Sequence, residues 1–397
     1  MTNVADNRVP PLVRLANAAG AALSPLGLAP AQPDAQEVID AVARRTGLDA
    51  EGSEYEAAFR NAMASAGEGT ELTPFGRWGV RQVAWRMLDN RVRIADVLRR
   101  TPEIERIPIE RPVFVVGWFR SGTTLLHRLL ASARGARVPR AWELYFPVPG
   151  DGDPERDAAR RRHQMERMLR IAHTAIPALP TMHRIEAESP EEATVLLDNE
   201  GAGIYFLHAF GAHAHGHFLA RHDMDYAYRS LKRQLQLLSF SGGAGRWVLK
   251  CPFSMWKLDA LFRAFPDATV VHTFRDPRES IGSVCSLSAI LQQSFCRSVD
   301  LNAIGQFWSR FCLDGLQRSA SMRADGSGRI FEVGYRELVA GTAGVLTRLG
   351  SALDLELPPP DPQRGGGGHG RHRYDLASFG LDGGELLARF GPHLPVT

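Results

Sequence analysis

The sequence has few cysteines, no long apolar run and no excess of either charge, and each lack closes off a class of function. Only four cysteines occur in 397 residues, Cys251, Cys285, Cys296 and Cys312, without a CxxC pair or a metal-ligand spacing. No disulfide framework or zinc site is therefore expected, and reduced thiols in a cytoplasmic protein are. No apolar stretch is long enough to span a bilayer. The uncharged stretch from Leu15 to Ala31 is rich in alanine and glycine and interrupted by Asn17 and prolines. It makes a poor secretory signal and reads as a loosely docked N-terminal arm. The 47 Lys and Arg nearly cancel the 44 Asp and Glu, leaving a formal charge of +3, so no general affinity for nucleic acid is implied. No internal repeat is present.

What remains is a chain long enough to bury a large core, with two kinds of pattern. From Asp34 to Arg100 the apolar spacing is helical. Asp34 is placed to cap a helix carrying Val38, Ile39 and Val42, with Gly47 at its end. Ser53 and Glu56 have capping-box spacing, and Thr73–Pro74 opens a longer helix with Val80, Val83, Ala84, Met87, Leu88 and Leu98 on one side. Beyond it strands and helices alternate: Val113–Val116, then Arg246–Lys250, a helix from about Met255 to Ala264, a strand at 268–274, a helix from Pro277 and a strand at 329–335. Alternation of this kind predicts an α/β fold with a central parallel sheet. Residues at about 150–245 read as a helical insertion walling the carboxyl ends of those strands. The expected organisation is a helical N-terminal region (1–110), an α/β core (111–360) and a C-terminal segment (361–397) with the run Gly365–Gly368 and basic residues.

The most informative segment is PVFVVGWFRSGTTLLHRLL, Pro112 to Leu130. A short β-branched run leads into a loop bounded by Gly117 and Gly122, and an amphipathic helix follows at once. Such a loop turns tightly and aims backbone N–H groups at an anion, aided by the helix N-terminus. The spacing is that of a P-loop, yet Thr123 and Thr124 stand where a triphosphate enzyme carries Lys and Ser/Thr. Arg120 lies within the loop, where a planar, permanently charged fork can grip a phosphate. A plain strand–turn–helix with a Ser/Thr cap is the competing reading.

GWFRSGTTLLHRLL resembles the 5′-phosphosulfate loop of sulfotransferases that use 3′-phosphoadenosine 5′-phosphosulfate (PAPS). A second segment, 248–287, resembles the same family: Lys250 at a strand end, a strand ending in Arg275–Asp276–Pro277, then Ser283. The order of further features is similar to a large bacterial sulfotransferase family: Trp142, Glu143 and Pro147; His183 before an acidic stretch to Glu192; and Tyr335–Leu338. Phe119 replaces the proline common before the loop arginine, and Cys251 replaces a Ser or Asp after the lysine.

The resemblance implies a P-loop-like sulfotransferase fold and PAPS as co-substrate, with no metal required. It implies donor binding by Arg120, Ser121, Gly122, Thr123 and Thr124, and binding of the donor's 3′-phosphate by Arg275 and Ser283. Lys250 is the candidate for stabilising the departing oxygen. Glu143 is the first candidate for general base, because its relative position resembles that of the catalytic Glu of tyrosylprotein sulfotransferases. His183 competes, with Glu186 and Glu188 as possible orienting groups. The acceptor is expected to be a small molecule, lipid or glycan, and the oligomeric state is open. A P-loop kinase or nucleotidase and a catalytically idle nucleotide-binding protein are the alternatives.

Three basic or histidine-rich features stand apart. His208, His213, His215, His217 and His222 cluster in sequence. In a strand, His213, His215 and His217 would share a face able to bind zinc, though a polar pocket wall fits as well. Arg160–Arg162 reads as a solvated helix face or an anion-steering patch. Arg364, Arg371 and Arg373 could close over a nucleotide or lie in a disordered tail.

Overall fold

Five parallel strands stand at the centre of the computed structural model, which describes residues 9–27, 31–49, 52–150, 152–243, 245–326, 328–359 and 375–395. They are β1 (Val113–Val116), β2 (Ala136–Arg137), β3 (Arg246–Lys250), β4 (Thr269–Phe274) and β5 (Arg329–Gly334), in the order β2-β3-β1-β4-β5. Val115 lies opposite Lys250 on one side and Val271 on the other, so β1 is central. Burial of all its residues explains the unalternating sequence VFVV. The period-2 pleat sends Val113 and Val115 into a smaller core with Leu126, Leu130 and Leu349, and Phe114 and Val116 into the main core. The two-residue β2 is too short to carry a sequence signal.

Four N-terminal helices share the main core with the sheet: α1 (Pro11–Leu23), α2 (Ala35–Thr46), α3 (Ser53–Ser65) and α4 (Pro74–Arg100). The expected loose arm is, over its described residues, the docked helix α1. Val13 is buried, Gly20 presses so closely on Pro74 that a Cβ would lie 2.4 Å from it, and Asn17 Oδ1 accepts the Phe75 N–H at 2.9 Å. Small residues, weak as an apolar run, are what allow this close approach. Asp34 caps α2 by accepting from Gln36 and Glu37, left-handed Gly47 ends it, and Thr73 caps α4. The capping box expected for α3 is absent, because its N-cap is Gly52, which has no side chain to offer.

After β1 come α5 (Thr123–Leu130), α6 (Ala141–Tyr145), α7 (Pro154–Ala175), α8 (Leu179–Met182), α9 (Thr194–Asp198), α10 (Tyr205–Phe210), α11 (His213–Arg221) and α12 (Asp225–Gly242). The insertion is thus helical, and it meets the carboxyl ends of the strands: Ala193 N–H donates to Lys250 O at 2.8 Å. Within it α9 starts at Thr194, and Pro190, just before, is paired with Arg140 in an isolated bridge. The histidine-rich run is α11, not a strand. His213 stacks on Phe307 and His215 Nδ1 faces Asn61 Oδ1 at 3.1 Å, so the three histidines do not share one face. Pro252–Trp256 is a 3-10 turn, which shortens the next helix, α13, to Leu258–Ala264. It is followed by α14 (Pro277–Phe295) and α15 (Leu301–Ala324).

All four cysteines are buried and unpaired. Among the described residues no helix is long and apolar enough to cross a membrane. Arg364, Arg371, Arg373 and the glycine run lie outside the described residues.

Candidate active site

The loop after β1 is held by its neighbours on both sides. Gly117, at φ +143°, sits where a Cβ would lie 2.6 Å from both Thr273 O and Oγ1, and Gly122, at φ +99°, would drive one to 2.7 Å from the Tyr335 ring. Ser121 turns its hydroxyl inward, donating to Trp118 O at 2.8 Å and lying 2.6 Å from Thr273 Oγ1. Its part is to anchor the loop to β4, leaving the backbone to face a ligand. Phe119, in place of a proline, wedges among His208, Trp256 and Trp308 with ring centroids 5.2 to 6.0 Å apart. Aromatic packing thereby replaces the stiffness a proline would bring. The N–H groups of the first turn of α5, at Thr123, Thr124 and Leu125, have no helix carbonyl within reach and stay available to an anion.

Arg120 occupies the left-handed region at φ +67°, uncommon for a residue with a side chain. Its Nε donates to Ser283 Oγ and its Nη1 to Met182 O, each at 3.1 Å. Arg275 Nη1 donates to the Arg120 carbonyl at 3.2 Å, its guanidinium lies 4.1 Å from the Tyr335 ring centre, and Glu279 holds its Nε at 2.9 Å. Arg120 thus lies between Arg275, at the end of β4, and Ser283, on α14, and is hydrogen-bonded to both.

Lys250, 1% exposed, ends β3 beside α5. Its Nζ donates to Thr124 Oγ1 at 3.1 Å and lies 3.0 Å from Glu192 Oε1 and 3.8 Å from Glu191 Oε1. Glu191 Oε1 is also 3.4 Å from His183 Nε2. Burial pushes the Glu191 carboxyl up, but His183, Lys250 and the Glu192 N–H together outweigh it and bring it down to about 2. His127, behind the loop, donates its Nε2–H to Val248 O at 3.1 Å, and burial beside Lys250 lowers it to about 4, so it stays neutral. Cys251 is buried, takes a contact from Thr194 Oγ1 at 3.5 Å, and has its thiol pushed up by burial.

Glu143 is elsewhere engaged. Its Oε2 accepts the Arg140 N–H at 2.9 Å, tying off the start of α6, and its Oε1 lies 3.4 Å from Arg137 Nη2. Glu186 and Glu188, expected near His183, pair with Arg184 and with Arg140 and Arg162 instead. The carboxylate that orients His183 is Glu191, which the sequence offers only as part of an acidic run. The arginines at 160–162 are paired too, Arg160 and Arg161 with Asp157 and Arg162 with Glu188, so the run is no free anion-steering patch. Among the described residues only His183, Glu191 and Glu192 gather closely enough for a metal, and Lys250 already occupies the carboxylates with its own charge.

The loop after β1 thus carries its own arginine and has the lysine at the end of β3 beside it. Residues 112–359 match the sulfotransferase family. The chain belongs to that family. The sulfotransferase STF1 from Mycobacterium tuberculosis H37Rv superposes with a TM-score of 0.78 at 26% identity, covering 90% of this chain and 98% of its own. STF9 from Mycobacterium avium shares the fold, with a TM-score of 0.77, 24% identity and coverage of 90% and 95%. No curated protein sequence matches. The helical chain built on a central parallel sheet is thus a sulfotransferase fold, and sulfuryl transfer is its general chemistry.

Proposed function

We propose that this sulfotransferase moves the sulfuryl group of PAPS to a hydroxyl, less readily an amine, of a small-molecule, lipid or glycan acceptor. The observation that carries this reading is the buried Lys250 ammonium, 3.1 Å from Thr124 Oγ1 beside a loop that lacks its own lysine. A lysine delivered from β3 reaches the first turn of α5 from the side, where a leaving oxygen of the nucleotide would develop charge. Arg120 and the N–H groups of Gly122, Thr123 and Thr124 hold the 5′-phosphosulfate. Arg275 and Ser283, both bonded to Arg120, serve the 3′-phosphate.

In the reaction the acceptor oxygen forms a bond to sulfur as the sulfur–oxygen bond to the 5′-phosphate breaks in line. The electron pair leaves with the bisphosphate, and the acceptor proton passes to a base. His183 is the better base on geometry, being partly exposed and backed by Glu191, whereas both oxygens of Glu143 are engaged, Oε2 with the Arg140 N–H at the start of α6 and Oε1 with Arg137 of β2. Glu143 is then a positioning residue. A cytoplasmic setting accords with the four free, buried thiols.

Calorimetric titration with 3′-phosphoadenosine 5′-phosphate, beside ATP with Mg²⁺, tests the donor. Tight metal-free binding of the bisphosphate is expected, and preference for Mg-ATP would overturn the reading. With radiolabelled PAPS, His183→Asn is expected to lose about 10²-fold or more in turnover and the acid limb of the pH–rate profile. Glu143→Gln should keep that limb. Loss of the limb in Glu143→Gln alone would return the base to Glu143.

A further inference from the structure

The first helix of the insertion, α7, turns outward a face that the proposed transfer site does not use. Its inner side carries Met165 and Leu169, buried with Trp142 in a small separate core. On its outer side Arg156, Arg160, His163, Arg167 and Arg170 are all exposed. At about 100° per residue these five fall within an arc of roughly 80°, and the exposed Glu155 and Glu166 lie outside it. The row runs from the first turn of α7 to near its last, roughly 20 Å at about 1.5 Å per residue. Part of its charge is answered within the helix. Arg160 meets the buried Asp157 at 2.6 Å, and His163 Nδ1 lies 3.9 Å from Glu166. Asp157 is also shared with Arg161, at 2.8 Å, so one carboxylate serves two guanidiniums. Arg156, Arg167 and Arg170 have no carboxylate partner among the described residues. The face therefore keeps a net positive field directed at solvent.

The make-up of the face selects among anionic partners. No Phe, Tyr or Trp occurs in α7, so nucleic-acid bases would find no platform to stack on. Ile171 is its single exposed large apolar side chain, too little to enter a bilayer or to form the buried centre of a protein interface. Guanidinium forks in a row suit carboxylates repeated along a hydrophilic chain. The row also leads toward the proposed base. After α7 ends at Ala175, Leu179 N–H donates to Ile176 O at 3.0 Å and His183 N–H to Leu179 O at 2.8 Å, a tight path from the helix end to His183.

We propose that the outer face of α7 is a docking surface for an acidic polysaccharide, a chain of uronate-bearing sugars lying along the arginine row. The inference uses none of the residues assigned to the donor and stands or falls apart from it. Each exposed contact between a guanidinium and a carboxylate is weak, and the affinity comes from engaging several at once. A neutral glycan offers no charge to the row and would gain little there.

The test is calorimetric titration of the full chain with a hyaluronan decasaccharide. Maltodextrin of similar length is the neutral control, and a short DNA duplex and phosphatidylglycerol vesicles are the competing polyanions. Binding of hyaluronan is expected at low ionic strength and should weaken steeply as salt rises, with none for the maltodextrin. The triple variant Arg156→Gln, Arg167→Gln, Arg170→Gln should lose about tenfold or more in affinity. Arg93→Gln, Arg99→Gln, Arg100→Gln removes the same charge from the exposed side of α4 and should lose less than about twofold. An unchanged urea midpoint certifies the fold of both, and Arg167→Gln alone, losing about threefold, decides the matter should the triple variant unfold. Absence of hyaluronan binding, equal losses in the two triple variants, or tighter binding of the duplex or the vesicles than of hyaluronan overturns the inference. Failure of the chain to bind 3′-phosphoadenosine 5′-phosphate would instead overturn the donor reading and leave this one standing.

Discussion

Replacing Lys250 by methionine, alone and together with Glu192→Gln, separates its structural role from the chemical one proposed for it. The side chain is enclosed, with its ammonium 3.0 Å from Glu192 and 3.8 Å from Glu191. Removing one member of a buried ion cluster costs about 3–5 kcal/mol, because the remaining charges stay buried without compensation. The lower end applies here, since His183 still faces Glu191 and the Glu192 side chain keeps 20% of its surface. For the reaction, losing one preorganised donor to a leaving oxygen lowers kcat by about 10²–10³, equal to about 3–4 kcal/mol. The two losses are similar in size, so a single variant cannot apportion them. Lys250→Met combined with Glu192→Gln can, because it removes the stranded carboxylate and should recover about 2 kcal/mol of stability while leaving the rate low. Urea unfolding followed by tryptophan fluorescence gives the stability, and single-turnover transfer from labelled PAPS gives the rate. Wild-type turnover in Lys250→Met would remove the leaving-group role. Recovery of turnover together with stability in the double variant would show that Lys250 acts only through the fold.

The two buried carboxylates of this region should shape the pH profile in opposite directions. Glu191 is held at about 2 against an ordinary 4.5, so its stabilisation is complete above pH 4.5 and is lost as pH falls toward 2. Glu191→Gln should therefore flatten the acid limb of stability measured by urea midpoint. Asp198 is pushed up by burial to about 7 from 3.8, Arg86 partly opposing and Glu192 adding to the rise. The native state then binds its proton more tightly, so stability falls as pH rises through that interval, and Asp198→Asn should gain on the wild type between pH 4 and pH 7. Arg275→Ala should weaken binding of 3′-phosphoadenosine 5′-phosphate by about 10–100-fold, the worth of charged hydrogen bonds, yet barely change binding of adenosine 5′-phosphosulfate in calorimetry. Equal losses for both would take Arg275 away from the 3′-phosphate. Gly117→Ala meets Thr273 at 2.6 Å in a left-handed backbone and should abolish measurable bisphosphate binding, while wild-type affinity would show that the loop need not approach β4 so closely.

The loop after β1 was legible because every signal for it is local. A β-branched run, two glycines at fixed separation and an apolar helix face all lie within Pro112–Leu130, and the structure builds β1, the loop and α5 from them. The placement of Arg275 at a strand end and of Ser283 on the following helix was legible for the same reason. The orienting partner of His183 was not. Glu186 and Glu188 are nearer in sequence, but Glu191 is turned inward because the next residues are pinned to β3 through the Ala193–Lys250 backbone bond, a contact between distant parts of the chain. The histidine run failed for a related reason. Alternation at 213, 215 and 217 suits a strand locally, whereas tertiary packing winds it into α11, with Gly216 so tight on Phe307 that a Cβ would lie 2.5 Å from the ring. Glu143 was located correctly after the first βα unit, yet its engagement with the Arg140 N–H depends on a cap geometry that spacing alone does not reveal.

These long-range contacts explain why the chemistry gathers on one short segment. Glu191 faces Lys250 and His183, Thr194 touches Cys251 at the end of β3, and Asp198 closes the same stretch under the field of Arg86. The segment therefore ties the end of β3 and His183 into one buried network. Its burial makes the charges expensive and their geometry stiff, since each carboxylate keeps its place only while its partner does. In-line transfer needs donor sulfur, acceptor oxygen and base held in one alignment. A rigid stretch that holds Lys250 and His183, the residues proposed to serve leaving group and base, serves that alignment, and it binds the helical insertion to the end of β3.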